Sequence, residues 1–143
     1  MIRTIIRLNS IIFILALFVT TTACYHNDSK RIVENINKSI IRGNTNDLLL
    51  YLTNHIQIIN KNDSWDGSTF LHIAGFNNQN LYIIETLIRH GADPNIADLE
   101  GRTPLHNLYI YNADTNIIEY LIGNNADNTI KDSYGKIPSD YKQ

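Results

Sequence analysis

Asp98-Leu99-Glu100-Gly101-Arg102-Thr103-Pro104-Leu105-His106 decides how this chain is read, because its pattern recurs. Thirty-four residues earlier stands Gly67-Ser68-Thr69-Phe70-Leu71-His72, and thirty-four later Asp132-Ser133-Tyr134-Gly135-Lys136-Ile137-Pro138. Gly67, Gly101 and Gly135 keep one spacing, as do Thr69 with Thr103 and His72 with His106. The apolar stretches repeat in step: residues 81–88 (LYIIETLI) are answered by 115–122 (TNIIEYLI). Gly91-Ala92-Asp93-Pro94-Asn95 is answered by Asn125-Ala126-Asp127-Asn128-Thr129. A fixed period of this length marks stacked units, each of which buries its apolar face only against its neighbours.

The residues inside one period predict two helices. Thr103 precedes Pro104, so its hydroxyl caps a helix whose first position tolerates a missing N–H. Leu105 and Leu108 lie three apart and share a face. On the second helix Ile117, Ile118, Leu121 and Ile122 have the spacing of an apolar stripe, and Ile83, Ile84, Leu87 and Ile88 repeat it one unit earlier. Gly91 supplies a left-handed stop.

Gly-x-Thr-Pro-Leu-His, followed about twenty residues later by Gly-Ala-Asp-x-Asn, resembles the ankyrin repeat. The resemblance runs from about Lys30 to Gln143. It implies an all-α repeat solenoid of about three stacked helix–turn–helix units with projecting β-turn fingers. The first unit is degenerate (32–62, with a helix pair broken at Gly43) and acts as an N-terminal cap. Full units follow over 63–97 and 98–131, and 132–143 is a truncated unit with room for one helical turn. The family period is 33, so these units carry one extra residue, expected around 77–80 and 110–113. In the family a histidine at the position of His72 and His106 joins a hydrogen-bond network with the Thr hydroxyl and nearby backbone. That role outweighs a metal or catalytic one, because no carboxylate or cysteine completes a cluster beside them.

Residues 1–23 read as an address. Arg3 and Arg7 precede nine unbroken apolar residues, 11–19 (IIFILALFV), and then small residues lead to Cys24. These are the parts of a secretory signal peptide, with an uncleaved membrane anchor as the alternative. Thr21-Thr22-Ala23-Cys24 resembles a bacterial lipobox, which implies lipidation of Cys24; simple secretion is the third option. Residues 24–31 follow as a polar tether. The expected location is accordingly exported, either membrane-associated through this N-terminal anchor or free in the periplasm or outside the cell.

Composition removes other classes. Twelve Lys and Arg face fourteen Asp and Glu, and loss of Arg3 and Arg7 would widen the deficit, which argues against capture of nucleic acid. One cysteine excludes an internal disulfide and a cysteine zinc cluster. No Gly-x-Ser-x-Gly elbow, phosphate loop or His-Glu-x-x-His occurs, so no enzyme, cofactor, metal or small-molecule substrate is implied. Asp63-Ser64-Trp65-Asp66-Gly67 lacks the alternating ligands of a calcium loop and reads as a finger turn.

The scaffold consumes the repeated residues and leaves the variable ones for a protein partner. By resemblance these are Trp65, Asp66 and Ser68; Phe76 and Asn77; Leu99, Glu100 and Arg102; Ile110 and Tyr111; and Ser133, Tyr134 and Lys136. The aromatic residues and arginine in this set are the types that dominate interface energy. The expected function is a non-enzymatic protein-interaction module. A dedicated regulator or inhibitor of one enzyme or toxin, and a fragment of a longer repeat protein, are the alternatives. At the far end Ile137, Pro138 and Tyr141 are the only residues expected to lid the helix over 115–122, unless another protein covers it.

Overall fold

The structure is a computed structural model that describes residues 28–61, 64–77 and 80–142. The expected address over 1–23, Cys24 and the start of the tether lie outside these residues. So do Asn62 and Asp63 of the first finger and positions 78–79 of the first expected insertion. Among the described residues no helix is long and apolar enough to cross a membrane.

The chain divides into two compact units, 1–34 and 35–143. In the first, residues 28–34 are helical, so the described part of the stretch read as a tether, 28–31, is helix. Arg31 lies 3.3 Å from Asp28 at i,i+3, an exposed pair that supports a helix by a few tenths of a kcal/mol.

The second unit opens with helical residues 35–42 (α1) and breaks at Gly43, as expected. Asn44 then caps α2 (Thr45–Asn54), its side chain accepting the Asp47 N–H at 3.2 Å. A 3₁₀ turn over Ile56–Ile58 leads to α3 (Phe70–Asn77) and α4 (Leu81–Arg89). Beyond them come α5 (Pro104–Ile110), α6 (Thr115–Gly123) and a second 3₁₀ turn over Pro138–Tyr141. No strand occurs among the described residues. The architecture is an all-α repeat solenoid.

Apolar spacing explains the packing. The first helices form one row, α3 against α5 and α5 against the Pro138–Tyr141 turn, while α4 packs on α2 and on its own partner α3. Leu71, Leu105 and Leu108 close the first row, and Ile83, Ile84 and Leu87 the second, all essentially without exposure. Each such side chain contributes about 1.5–3 kcal/mol by leaving water. Gly91 has φ 86°, the expected left-handed stop.

Two expectations change at the far end. Of the α6 stripe only Ile117 and Leu121 are buried, and Ile122 keeps 39% of its surface. The physical reason is that α4 has two helical neighbours, whereas α6 packs against α5. The short lid also sits elsewhere than expected: Pro138–Tyr141 docks on α5, the first helix of its unit, and not over α6. It occupies the next place in the row of first helices because Pro138 stands one period after Pro104.

Gly75 lies inside α3 with no positive φ, and a Cβ there would meet Leu108 Cδ2 at 3.4 Å and Asn107 Cβ at 3.5 Å, ordinary packing distances. Gly75→Ala is therefore expected to raise the unfolding free energy by about 0.5–1 kcal/mol, read from urea titration, through helix propensity alone.

Candidate protein-binding surface

Each finger is a turn held by its first side chain. Asp98 Oδ1 accepts the Glu100 and Arg102 N–H groups, both at 2.9 Å, and Asp132 Oδ1 accepts those of Tyr134 at 2.9 Å and Lys136 at 3.0 Å. Ser64 stands one period before Asp98 and solves the same problem differently, donating its hydroxyl to the Ser68 carbonyl at 2.7 Å. In that first finger Asp66 Oδ1 accepts the Ser68 N–H at 3.0 Å. Burial works to raise the Asp66 pKa, but hydrogen bonds from Ser68 and Ser64 prevail and hold it below its usual value.

Neighbouring fingers are tied by one backbone bond each. The Leu99 N–H donates to the Asp66 carbonyl, and the Ser133 N–H to the Glu100 carbonyl, both at 2.9 Å. Gly67 and Gly101 make this approach possible. A Cβ on Gly67 would stand 3.1 Å from Leu99 N, and one on Gly101 would stand 3.0 Å from Ser133 N. Gly135, in the last finger, has the same φ of 76° as Gly101 but nothing within 4 Å.

Both repeat histidines are fully buried and act on two fingers at once. The Thr69 N–H donates to His72 Nδ1 at 3.1 Å, with the Thr69 hydroxyl at 2.9 Å from the same nitrogen. His72 Nε2 lies 2.8 Å from the Arg102 carbonyl in the next finger. The partners settle the tautomer: an amide can only donate, so Nδ1 is bare, and a carbonyl can only accept, so Nε2 carries the proton. His106 repeats the pattern with Thr103 N–H at 3.0 Å, the Thr103 hydroxyl at 2.9 Å and the Lys136 carbonyl at 3.2 Å. Thr103 is the N-cap of α5, and its hydroxyl is paired with this ring. The imidazoles are therefore structural.

Asn60 and Asn95 likewise tie one unit to the next, through the loops that follow α4 and α6, a role the sequence reading missed. Asn60 Nδ2 donates to the Gly91 carbonyl at 3.0 Å, and its Oδ1 accepts the Asp93 N–H at 2.8 Å. Asn95 repeats both bonds, at 2.8 Å to the Asn125 carbonyl and 2.7 Å from the Asp127 N–H. Their spacing of 35 rather than 34 hid them from a strict comparison of periods.

With these residues bound into the scaffold, the variable positions fall into two groups. Trp65, Leu99 and Tyr134 stand on successive fingers with 92%, 76% and 67% of their surface in water. Glu100, Ser133 and Lys136 are exposed beside them, and Asp66, Ser68 and Arg102 are half-buried. Arg102 gathers the later fingers: its Nη1 lies 2.6 Å from Glu100 Oε2, and its guanidinium carbon lies 5.7 Å from the Tyr134 ring centre. Phe76 and Tyr111 form the second group at the far ends of α3 and α5, about 10 Å of helix away from the fingers. Their rings meet edge to face, with centroids 4.7 Å apart, while 52% of Phe76 and 44% of Tyr111 remain exposed. Asn77 is exposed next to Phe76, and Ile110 is half-buried next to Tyr111. Neither Trp65 nor Phe76 folds back into the core.

A search of curated proteins returns no match to this chain. The family model for ankyrin repeats matches residues 22–132 in three copies, which agrees with the row of first helices, the fingers and the paired histidines. Proteins of this kind are generally protein–protein interaction modules. The chain belongs to the ankyrin repeat family.

Proposed function

We propose that the finger row and the Phe76–Tyr111 pair form a protein-binding surface, and that the chain is a non-enzymatic interaction module. One observation carries this reading. Trp65, Leu99 and Tyr134 hold large apolar groups in water on three fingers whose internal bonds do not use those side chains. Large apolar groups held in water on successive fingers are the material of interaction sites, and Trp, Tyr and Arg supply most of the binding energy where they are found.

A photo-crosslinker placed at position 65 or 134 and expressed in the source cell tests the reading. Discrete adducts are expected from both fingers and none from Glu119 on the exposed side of α6. A single stoichiometric adduct would favour a dedicated regulator, and several would favour a general adaptor. Against the captured protein, Trp65→Ala with Tyr134→Ala is expected to weaken binding about thirty-fold, the effect of losing a hot spot of about 2 kcal/mol. The melting curve should hold, since exposed substitutions change stability by within about 0.5 kcal/mol. Equal labelling at Glu119, or collapse of the fold, refutes the surface.

The proposal places this surface outside the cytoplasm, with the protein attached to a membrane through a lipidated Cys24. The basic start, the apolar run over 11–19 and the Ala23-Cys24 junction support it. Two acyl signals anchor stably where one does not. Mass spectrometry of the mature protein should find diacyl mass on an N-terminal Cys24, and an unmodified thiol there rules lipidation out.

A further inference from the structure

The carboxylate that anchors the last finger is held by a residue outside the repeat pattern. Asp132 uses Oδ1 for the Tyr134 and Lys136 N–H groups, as Asp98 does in its own finger. Its other oxygen, Oδ2, accepts a hydrogen bond from the Tyr141 hydroxyl in the 3₁₀ turn. The same Oδ2 lies 4.0 Å from Arg102 Nε, which is buried without a hydrogen bond of its own. The Tyr141 ring then forms a wall for several neighbours. Arg102 Cζ stands 5.9 Å and Lys136 Nζ 4.8 Å from its centre, and the His106 ring meets it at 6.2 Å. Arg102 is thus flanked by two tyrosines, Tyr134 of the finger and Tyr141 of the turn, within the range of cation–π attraction.

We propose that Tyr141 is a positioning residue for the finger surface: it straps the Pro138–Tyr141 turn to Asp132 and so holds Arg102, Tyr134 and Lys136 in one arrangement. The chemistry is that of preorganisation. A carboxylate donated to by a phenol cannot swing away from the two amides it holds, and a guanidinium between two rings loses little further freedom when a partner arrives. Pro138 fixes the entry to the turn, and Asp140 Oδ2 closes it by accepting the Ile137 N–H at 3.0 Å. This is the place that the His106 ring fills one period earlier. The strap is therefore built on the pattern of a repeat's first turn, with Tyr141 added as its pin. It links the end of the described chain to residues that the proposed function assigns to binding, and it rests on that reading for its purpose.

The test uses the free, full-length protein, so it stands or falls separately from whether any partner binds. Amide exchange and the Arg102 Nε–H resonance are followed by NMR in Tyr141→Phe and Tyr141→Ala. Tyr141→Phe keeps the ring and loses the hydroxyl. It is expected to speed exchange at the Tyr134 and Lys136 amides about tenfold while leaving Arg102 in its ring-shifted position. Tyr141→Ala should do both, speeding those amides and moving the Arg102 resonance toward that of a solvated guanidinium. Amides of α3 and α4 should keep their rates in both variants. Unchanged exchange at Tyr134 and Lys136 in Tyr141→Phe overturns the proposal, as does an acceleration shared equally by α3 and α4. If Tyr141→Ala does not fold, the Tyr141→Phe comparison decides alone.

Discussion

Replacing His72 with alanine is expected to lower the unfolding free energy by about 3–4 kcal/mol, because three polar partners, two of them on buried Thr69, are stranded together. The Thr69 N–H and hydroxyl lose their acceptor, and the Arg102 carbonyl loses its donor. These groups sit at the base of two different fingers, so the loss should spread beyond one repeat. Chemical denaturation of wild type and variant measures it. A change below about 1 kcal/mol would mean that the ring is only filling space, the small end of what a lost hydrogen bond costs.

The same ring makes the fold acid-sensitive. Burial pushes the His72 pKa below its ordinary 6.5, and the Arg102 carbonyl with the carboxylates of Asp98 and Asp66 only partly offsets this. Below that ordinary value the unfolded chain takes up a proton that the native ring refuses. The contribution of His72 is therefore complete above pH about 6.5 and falls as pH drops from there toward the native pKa. The slope reaches at most about 1.4 kcal/mol per pH unit for one proton. Denaturation at pH 7.5 and 5.5 should show wild type losing stability, with a shallower loss in His72→Ala. Parallel loss in the two proteins would place the acid sensitivity elsewhere.

Gly101→Ala is expected to cost about 2–4 kcal/mol, and Gly135→Ala about 1–2, although both glycines have φ 76°. The shared part is the left-handed backbone. The difference is the neighbouring finger, since a Cβ at 101 would stand 3.0 Å from Ser133 N and 3.3 Å from two Asp132 backbone atoms. Those atoms belong to the backbone and cannot rotate away, so the Glu100–Ser133 bond must stretch. Thermal melts of the pair separate conformational strain from contact. Equal losses would show that the fingers are free to part.

Much of this architecture is visible before any coordinate is known. Thr103-Pro104 starts a helix by local chemistry, Gly91 ends one, and the 34-residue recurrence of Gly67, Gly101 and Gly135 announces fingers in series. The exposed positions were legible for the same reason: Trp65 and Tyr134 lie in turns whose own atoms complete the hydrogen bonding, which leaves the side chains no inward role. Other features escaped because they join residues far apart in the chain. The Tyr141 hydroxyl finds Asp132 only because the last turn docks on α5, and no tyrosine stands one period earlier, where the chain has Asn107, to announce that contact. Phe76 and Tyr111 are 35 positions apart and meet because α3 and α5 pack side by side.

Sequence alone determined the identity of the unit, its period and the ends of its helices, since caps, left-handed stops and apolar stripes act over four residues or fewer. Tertiary structure decided how much of each stripe is covered, which face the truncated turn lids and which side chains of the variable set touch. Those outcomes depend on the neighbour that each surface meets, and a repeated unit carries the same local code whether or not a neighbour is there.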